Sequence, residues 1–146
     1  MTAEEIAAIL KPFLRPARHP SAPPSPQDWD LLRNKFQCDF HPDFITFYEV
    51  VWKYQFMGEL LDATQPTPPK TADTITFVYD HEFSHGRWPT EMIPFQAVGN
   101  GDYFCLNALL GADSPVCYVY HEDSSVEEVY SSFAAWIEDL PEFWKD

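Results

Sequence analysis

Proline placement is the strongest constraint on what this chain can fold into. Six of its fourteen prolines fall at positions 12, 16, 20, 23, 24 and 26, and three more at 66, 68 and 69. Proline lacks the amide hydrogen and clashes with the preceding helical turn, so neither stretch can sit inside a helix or a central strand. The chain is thereby cut into a short leading segment, a helical part and a β-rich part. The first cut also carries Arg15, Arg18 and His19. It reads as an extended spacer of polyproline character, with a Pro-rich recognition ligand as the alternative.

The leading segment predicts a short amphipathic helix. Thr2 and Glu5 have capping-box spacing, and Ile6, Ile9, Leu10 and Phe13 follow at helical intervals. Its apolar face has to dock either on the body of the protein or on a partner. Residues 1–25 are therefore separated from a main domain over 26–146.

Ser25-Pro26-Gln27-Asp28 is a helix start: a capping hydroxyl, proline in the first turn, then an acid near the positive end of the dipole. Trp29, Leu32 and Phe36 supply the apolar face. A second start at His41-Pro42-Asp43 leads into Phe44, Phe47, Tyr48 and Val51, and the stripe continues through Trp52, Tyr54 and Phe56. Beyond the second breaker, residues 74–79 (TITFVY) read as a strand from their β-branched and aromatic content. Short strands are predicted at Met92-Ile93-Pro94-Phe95, with its proline at an edge or end, at residues 103–107 and at 116–120. Residues 99–102 and 111–115 form the turns between them. A last helix is capped by Ser131 or Ser132 and buries Phe133, Trp136, Ile137 and Leu140. Helices, then consecutive strands, then a helix describe an α+β fold: a largely antiparallel sheet flanked by helices.

Composition narrows the function. With 23 acidic against 9 basic residues the net charge is −14. Phosphate backbones and anionic membranes are poor partners for such a surface, whereas a basic protein is steered toward it. Solubility alone is the plain alternative reading of the charge. No apolar run reaches the length of a membrane span, and acids stand where a signal peptide carries positive charge. The expectation is a cytoplasmic protein whose three cysteines, Cys38, Cys105 and Cys117, stay reduced; Cys105 and Cys117 can be neighbours.

One motif carries specific chemistry. His81-Glu82-Phe83-Ser84-His85 fits H-E-x-x-H, in which two imidazoles on one helix face bind zinc and the glutamate activates water. The surroundings argue against it. A β run ends at Tyr79, Gly86 and Pro89 follow closely, and Trp88 and Glu91 stand where the extended pattern asks for Gly and His. A third ligand would have to come from Glu122, Glu127 or Glu128. The segment is read as a polar loop or short helical turn at the rim of the sheet, with His81 and His85 as weak candidates for adventitious metal and a metal-dependent hydrolase as the minor alternative. His121-Glu122-Asp123 can host acid–base chemistry but reads as a solvated turn. No catalytic residues and no cofactor are assigned.

The order of motifs over residues 26–140 resembles the SUKH superfamily of fungal cell-wall-synthesis regulators and bacterial immunity proteins. The first segment is Phe36-Gln37-Cys38-Asp39-Phe40-His41-Pro42-Asp43-Phe44-Ile45-Thr46-Phe47-Tyr48, agreeing in its apolar positions, Asp43 and Phe47. Gln37 replaces the family glycine and the proline is displaced to Pro42. Trp88-Pro89, Ile93-Pro94-Phe95 and Gly101-Asp102-Tyr103-Phe104-Cys105-Leu106-Asn107 follow, then Ser114-Pro115-Val116-Cys117-Tyr118-Val119-Tyr120-His121-Glu122 and Ser132-Phe133. Asn107 replaces the usual Asp, and Asn100 stands where a second Gly is common.

The resemblance implies a non-enzymatic α+β binding module, typically an immunity protein that neutralises a toxin, often a nuclease. Phe47, Trp88, Gly101, Asp102 and Phe133 are then fold-determining: Gly101 for a tight turn, Asp102 for bonding backbone amides there. The partner-binding candidates are the acids Asp80, Glu82, Glu122, Asp123, Glu127 and Glu128 at strand ends and loops. Tyr79, Trp88 and Tyr120 are the candidate aromatic anchors. A regulatory or scaffold module with an unrelated partner is the alternative.

Overall fold

The computed structural model describes residues 1–16, 22–52, 54–55, 59–66 and 73–143. Part of the Pro-rich spacer (Arg18, His19 and Pro20), Phe56, and Pro68 and Pro69 of the second breaker lie outside the described residues. The element order is α1 (Ala3–Leu10), β1 (Arg15–Pro16), α2 (Pro26–Phe36), α3 (Pro42–Val51), β2 (Tyr54–Gln55), β3 (Glu59–Leu60), α4 (Ile75–His85), β4 (Met92–Ala97), β5 (Tyr103–Asn107), β6 (Val116–Val119), β7 (Val126–Tyr130) and α5 (Phe133–Phe143). β3 to β7 form a five-stranded antiparallel sheet in sequence order, and β1 and β2 a separate two-stranded ribbon. The α+β architecture is as the sequence predicts.

The helix starts follow their local chemistry. Thr2 with Glu5, and Ser25 with Asp28, form reciprocal capping boxes. His41 caps α3 by accepting the Asp43 amide on its ring, with Pro42 in the first turn. Ser132 is the hydroxyl that caps α5, accepting the Ala135 amide at 3.1 Å. The predicted α3 stripe stops short: the helix ends at Val51, and Tyr54 belongs to β2.

Residues 74–79 are not a strand. They are the cap and opening turns of α4, where the Thr74 hydroxyl accepts the Phe77 amide. A strand would bury Ile75, Phe77 and Tyr79 on one face. Instead Ile75 and Val78 are buried and Phe77 is exposed, which is helical spacing. β propensity is a weak local preference, and here the packing of the Ile75–Val78 face against the core overrides it. β7 is a strand that the sequence reading leaves among the loops. Pro94 lies within β4, but β3 pairs only with Gln96 and Ala97, so at Pro94 the strand has a described partner on one side alone.

Strand alternation divides the sheet into two faces. Phe95, Leu106 and Val116 join the main core, an aromatic cluster centred on Trp136. Phe47 and Phe95 meet that indole edge-on at 5.4 and 5.0 Å. Met92, Cys105, Cys117 and Val119 point the other way and pack beneath Trp88 in a smaller cluster. Cys105 and Cys117 are direct cross-strand partners and both are free thiols; burial pushes the Cys105 thiol well up.

α1 docks on the body. Ile6 and Leu10 are fully buried in the main core. Among the described residues no helix is long and apolar enough to cross a membrane. Replacing Ile6 with alanine should lower the unfolding free energy by about 2–5 kcal/mol, the cost of deleting a buried aliphatic side chain. Urea denaturation measures this, and a loss below about 0.5 kcal/mol would mean that α1 is not part of the cooperative core.

Candidate functional site

The residues singled out by sequence converge unevenly on one end of the sheet, where the turn before β5 meets the turn after β6. Gly101 has φ +96°, a conformation that glycine alone adopts without strain. A Cβ at this position would lie 3.1 Å from Cγ of His121 and 3.2 Å from its Cβ, so the glycine is also what lets the histidine approach.

The next residue, Asp102, is a buried carboxylate that accepts three hydrogen bonds. The Tyr118 hydroxyl donates at 2.8 Å, the His121 amide at 2.8 Å and the His121 ring Nδ1 at 2.6 Å. Asn100 accepts the Asp102 amide and completes the turn. The expected role for Asp102 is to bond amides at its own turn; the backbone amide it accepts is that of His121, in the turn after β6.

This arrangement shifts three groups. Burial alone would raise the Asp102 carboxyl, but the bonds from His121 and Tyr118 outweigh it and hold the group below its ordinary value. The bond to Asp102 raises the His121 imidazole. Burial, then the same carboxylate, pushes the Tyr118 phenol up to about 12.

Beside this hub a cleft of about 280 Å³ opens between the C-terminal end of α4 and the turn joining β6 to β7. Glu82, Trp88, Tyr120 and Glu122 line it, together with His85 and His121. Four predicted residues are thus brought together, but not all are available. The Trp88 indole is buried, donates to the Met92 carbonyl at 2.9 Å and meets Tyr103 edge-on. Glu82 accepts the Tyr103 hydroxyl at 3.2 Å.

Tyr79 lies elsewhere, its hydroxyl on the Thr90 carbonyl and its ring against Phe36. Asp80 takes the Lys35 ammonium at 2.7 Å. Glu122 and Asp123 are exposed in the turn, and Glu127 and Glu128 are exposed on β7 rather than in a loop. Tyr120 is exposed and its hydroxyl donates to Glu127 at 3.0 Å.

Of the two readings of the HEFSH segment, loop or helical turn, the structure shows the second: it forms the last turns of α4, with His81 and His85 exposed and stacked at 4.3 Å. Among the described residues no group of three or more His, Cys, Asp or Glu side chains is placed to hold a metal. Tyr118 and Tyr103, which hold Asp102 and Glu82, were missed as polar partners because both sit in strands that read as apolar.

The glycine–aspartate turn, the strand ending in His121-Glu122 and the capped Ser132-Phe133 helix form one physical unit. The family described as SMI1-KNR4 cell-wall, SUKH_5, matches residues 4–145. The chain belongs to the SUKH superfamily. The match reaches through α1 and both proline-rich stretches, further than the motifs at 26–140 alone indicate. Among solved structures, the SUKH fold here is similar to that of a protein from Pseudomonas syringae pv. tomato, with 21% identity, a TM-score of 0.69, and 94% of this chain and 96% of that chain covered. No curated protein matches. Within this SUKH domain Gly101, Asp102 and His121 are the parts of a staple between β5 and β6. Phe47 and Phe133 pack with their ring centroids 5.4 Å apart, so these motif residues build the core beneath it.

Two measurements test the staple. Gly101→Ala should destabilise the domain by about 1–3 kcal/mol through the backbone conformation, with the His121 contact adding to it. The pH dependence is the second. His121 is raised in the fold, so its contribution is full below its ordinary 6.5 and is lost as pH rises through the folded value. Asp102 is lowered, so its contribution is present above 3.8 and is lost as pH falls through the folded value. The stability gap between wild type and His121→Gln should be widest between these limits and narrow toward pH 9. A gap that stays constant from pH 5.5 to 9 in urea melts would refute the coupling.

Proposed function

We propose that this SUKH domain is a non-enzymatic protein-binding module of the immunity type, which neutralises a cognate bacterial toxin by covering it. Family membership supports the class, because the superfamily includes immunity proteins. The observation that carries the reading is the run of exposed carboxylates at one sheet edge: Glu122 and Asp123 in the turn, Glu127 and Glu128 on β7. The exposed Tyr120 ring stands among them. With a net charge of −14 this edge suits a basic toxin domain such as a nuclease, which long-range attraction would steer onto it.

The contact set that follows is narrower than the sequence suggests. Tyr120 is the aromatic anchor, while Trp88 is buried and Tyr79 is half-buried, each bonded to a backbone carbonyl. Asp80, tied to Lys35, lies outside it.

Co-expression with a toxin domain encoded beside this gene tests the reading. The wild-type chain should restore growth and form a complex whose association slows with added salt. Glu122→Lys combined with Glu128→Lys should cut the association rate about tenfold or more at low salt. No rescue and no salt-dependent complex with the wild type would defeat it.

A further inference from the structure

α4 gives the HEFSH segment a property that the binding function does not use. Residues four apart on a helix stand one above the other on the same face. His81 and His85 do so, with ring centroids 4.3 Å apart and planes inclined by 24°, both open to solvent. Phe77, one turn earlier, lies parallel to the His81 ring at 6.1 Å and flanks its other side.

The tautomer of His85 follows from its partner. Its Nδ1 lies 2.8 Å from the His81 carbonyl oxygen, an atom that can only accept. Nδ1 therefore carries the hydrogen, and in the neutral ring the lone pair sits on Nε2. Metal-binding histidines are oriented by this same bond, from the other ring nitrogen to a backbone carbonyl. Two bonds of about 2.0–2.1 Å span roughly 2.9 Å between adjacent donor nitrogens of a square-planar ion and roughly 3.3 Å in a tetrahedral one. The His81 ring is exposed, and chelation requires it to turn until the two nitrogens meet that span.

We propose that His81 and His85 form a two-imidazole chelate for a borderline divalent cation, binding Cu²⁺ most tightly and Ni²⁺ and Zn²⁺ less so. Two protein donors leave the remaining positions to water, so the ion is exchangeable. The acidic surface raises the local cation concentration. Glu82, the residue that would activate water in a peptidase, is engaged by the Tyr103 hydroxyl. The site thus holds an ion and is not a hydrolytic centre. It stands whether or not the partner is a toxin.

Calorimetric titration of tag-free, chelator-treated full chain with CuCl₂ tests this. One equivalent should bind, and His81→Gln or His85→Gln should each weaken it by roughly 100-fold, the advantage of the second donor. Ser84→Ala should leave it unchanged. Electron paramagnetic resonance of the wild-type copper complex should show two imidazole nitrogens, a readout that does not depend on the variants folding. Binding that survives the double His→Gln substitution, a spectrum with fewer than two nitrogens, or no binding would overturn the proposal.

Discussion

A buried carboxylate needs compensation from its surroundings, and the end of this sheet is organised around supplying it. Asp102 accepts from Tyr118 and twice from His121, so three donors from β6 and the turn after it converge on the residue that opens β5. Without those donors the charged form of the buried carboxyl would be disfavoured. The requirement propagates outward. His121 must approach closely, which demands the glycine at 101; and its position, with Ser124 donating back to the Tyr120 carbonyl, sets the turn that delivers β7. The acidic edge is therefore held in place by a polar staple whose carboxylate is buried and whose imidazole is exposed.

Beneath the staple the fold is held by aromatic packing. Trp136, Phe47, Phe95, Phe133 and Phe44 are all buried and meet mostly edge to face, the geometry that ring quadrupoles favour. This core joins α3 and α5 to one sheet face, with α1 closing over them through Ile6 and Leu10. Among the described residues the opposite face carries the smaller Trp88 cluster. The thinly covered end of the sheet is where α4 stops, the cleft opens and the charged turn stands free. A rigid scaffold with polar loops at its rim is the usual arrangement for a recognition surface.

Legibility from sequence differed by element for physical reasons. Helix starts were readable because a cap is a local interaction: Thr2 with Glu5 and Ser25 with Asp28 need nothing beyond three residues. The turn at 99–102 was readable because glycine marks a backbone conformation. Residues 74–79 read as a strand because β-branched and aromatic residues suit either element, and only the burial of Ile75 and Val78 with exposure of Phe77 decides for helix. β7 was missed because an edge strand with two adjacent glutamates has no alternation to detect. Charge nominates the acids of the candidate surface, but not which of them are engaged: Asp80 and Glu82 take Lys35 and Tyr103, residues distant in the chain, and Glu127 takes the Tyr120 hydroxyl.

Sequence alone settled the α+β class, the superfamily, the acidic character and the positions of the caps and tight turns, because each depends on composition or on neighbours a few residues apart. Tertiary structure decided that α1 lies on the body, that Trp88 is inside and Tyr79 half-buried, that HEFSH continues the helix from Ile75 and that Asp102 and His121 are partners. Those outcomes depend on which groups must leave water together, and that is a property of contacts between distant segments.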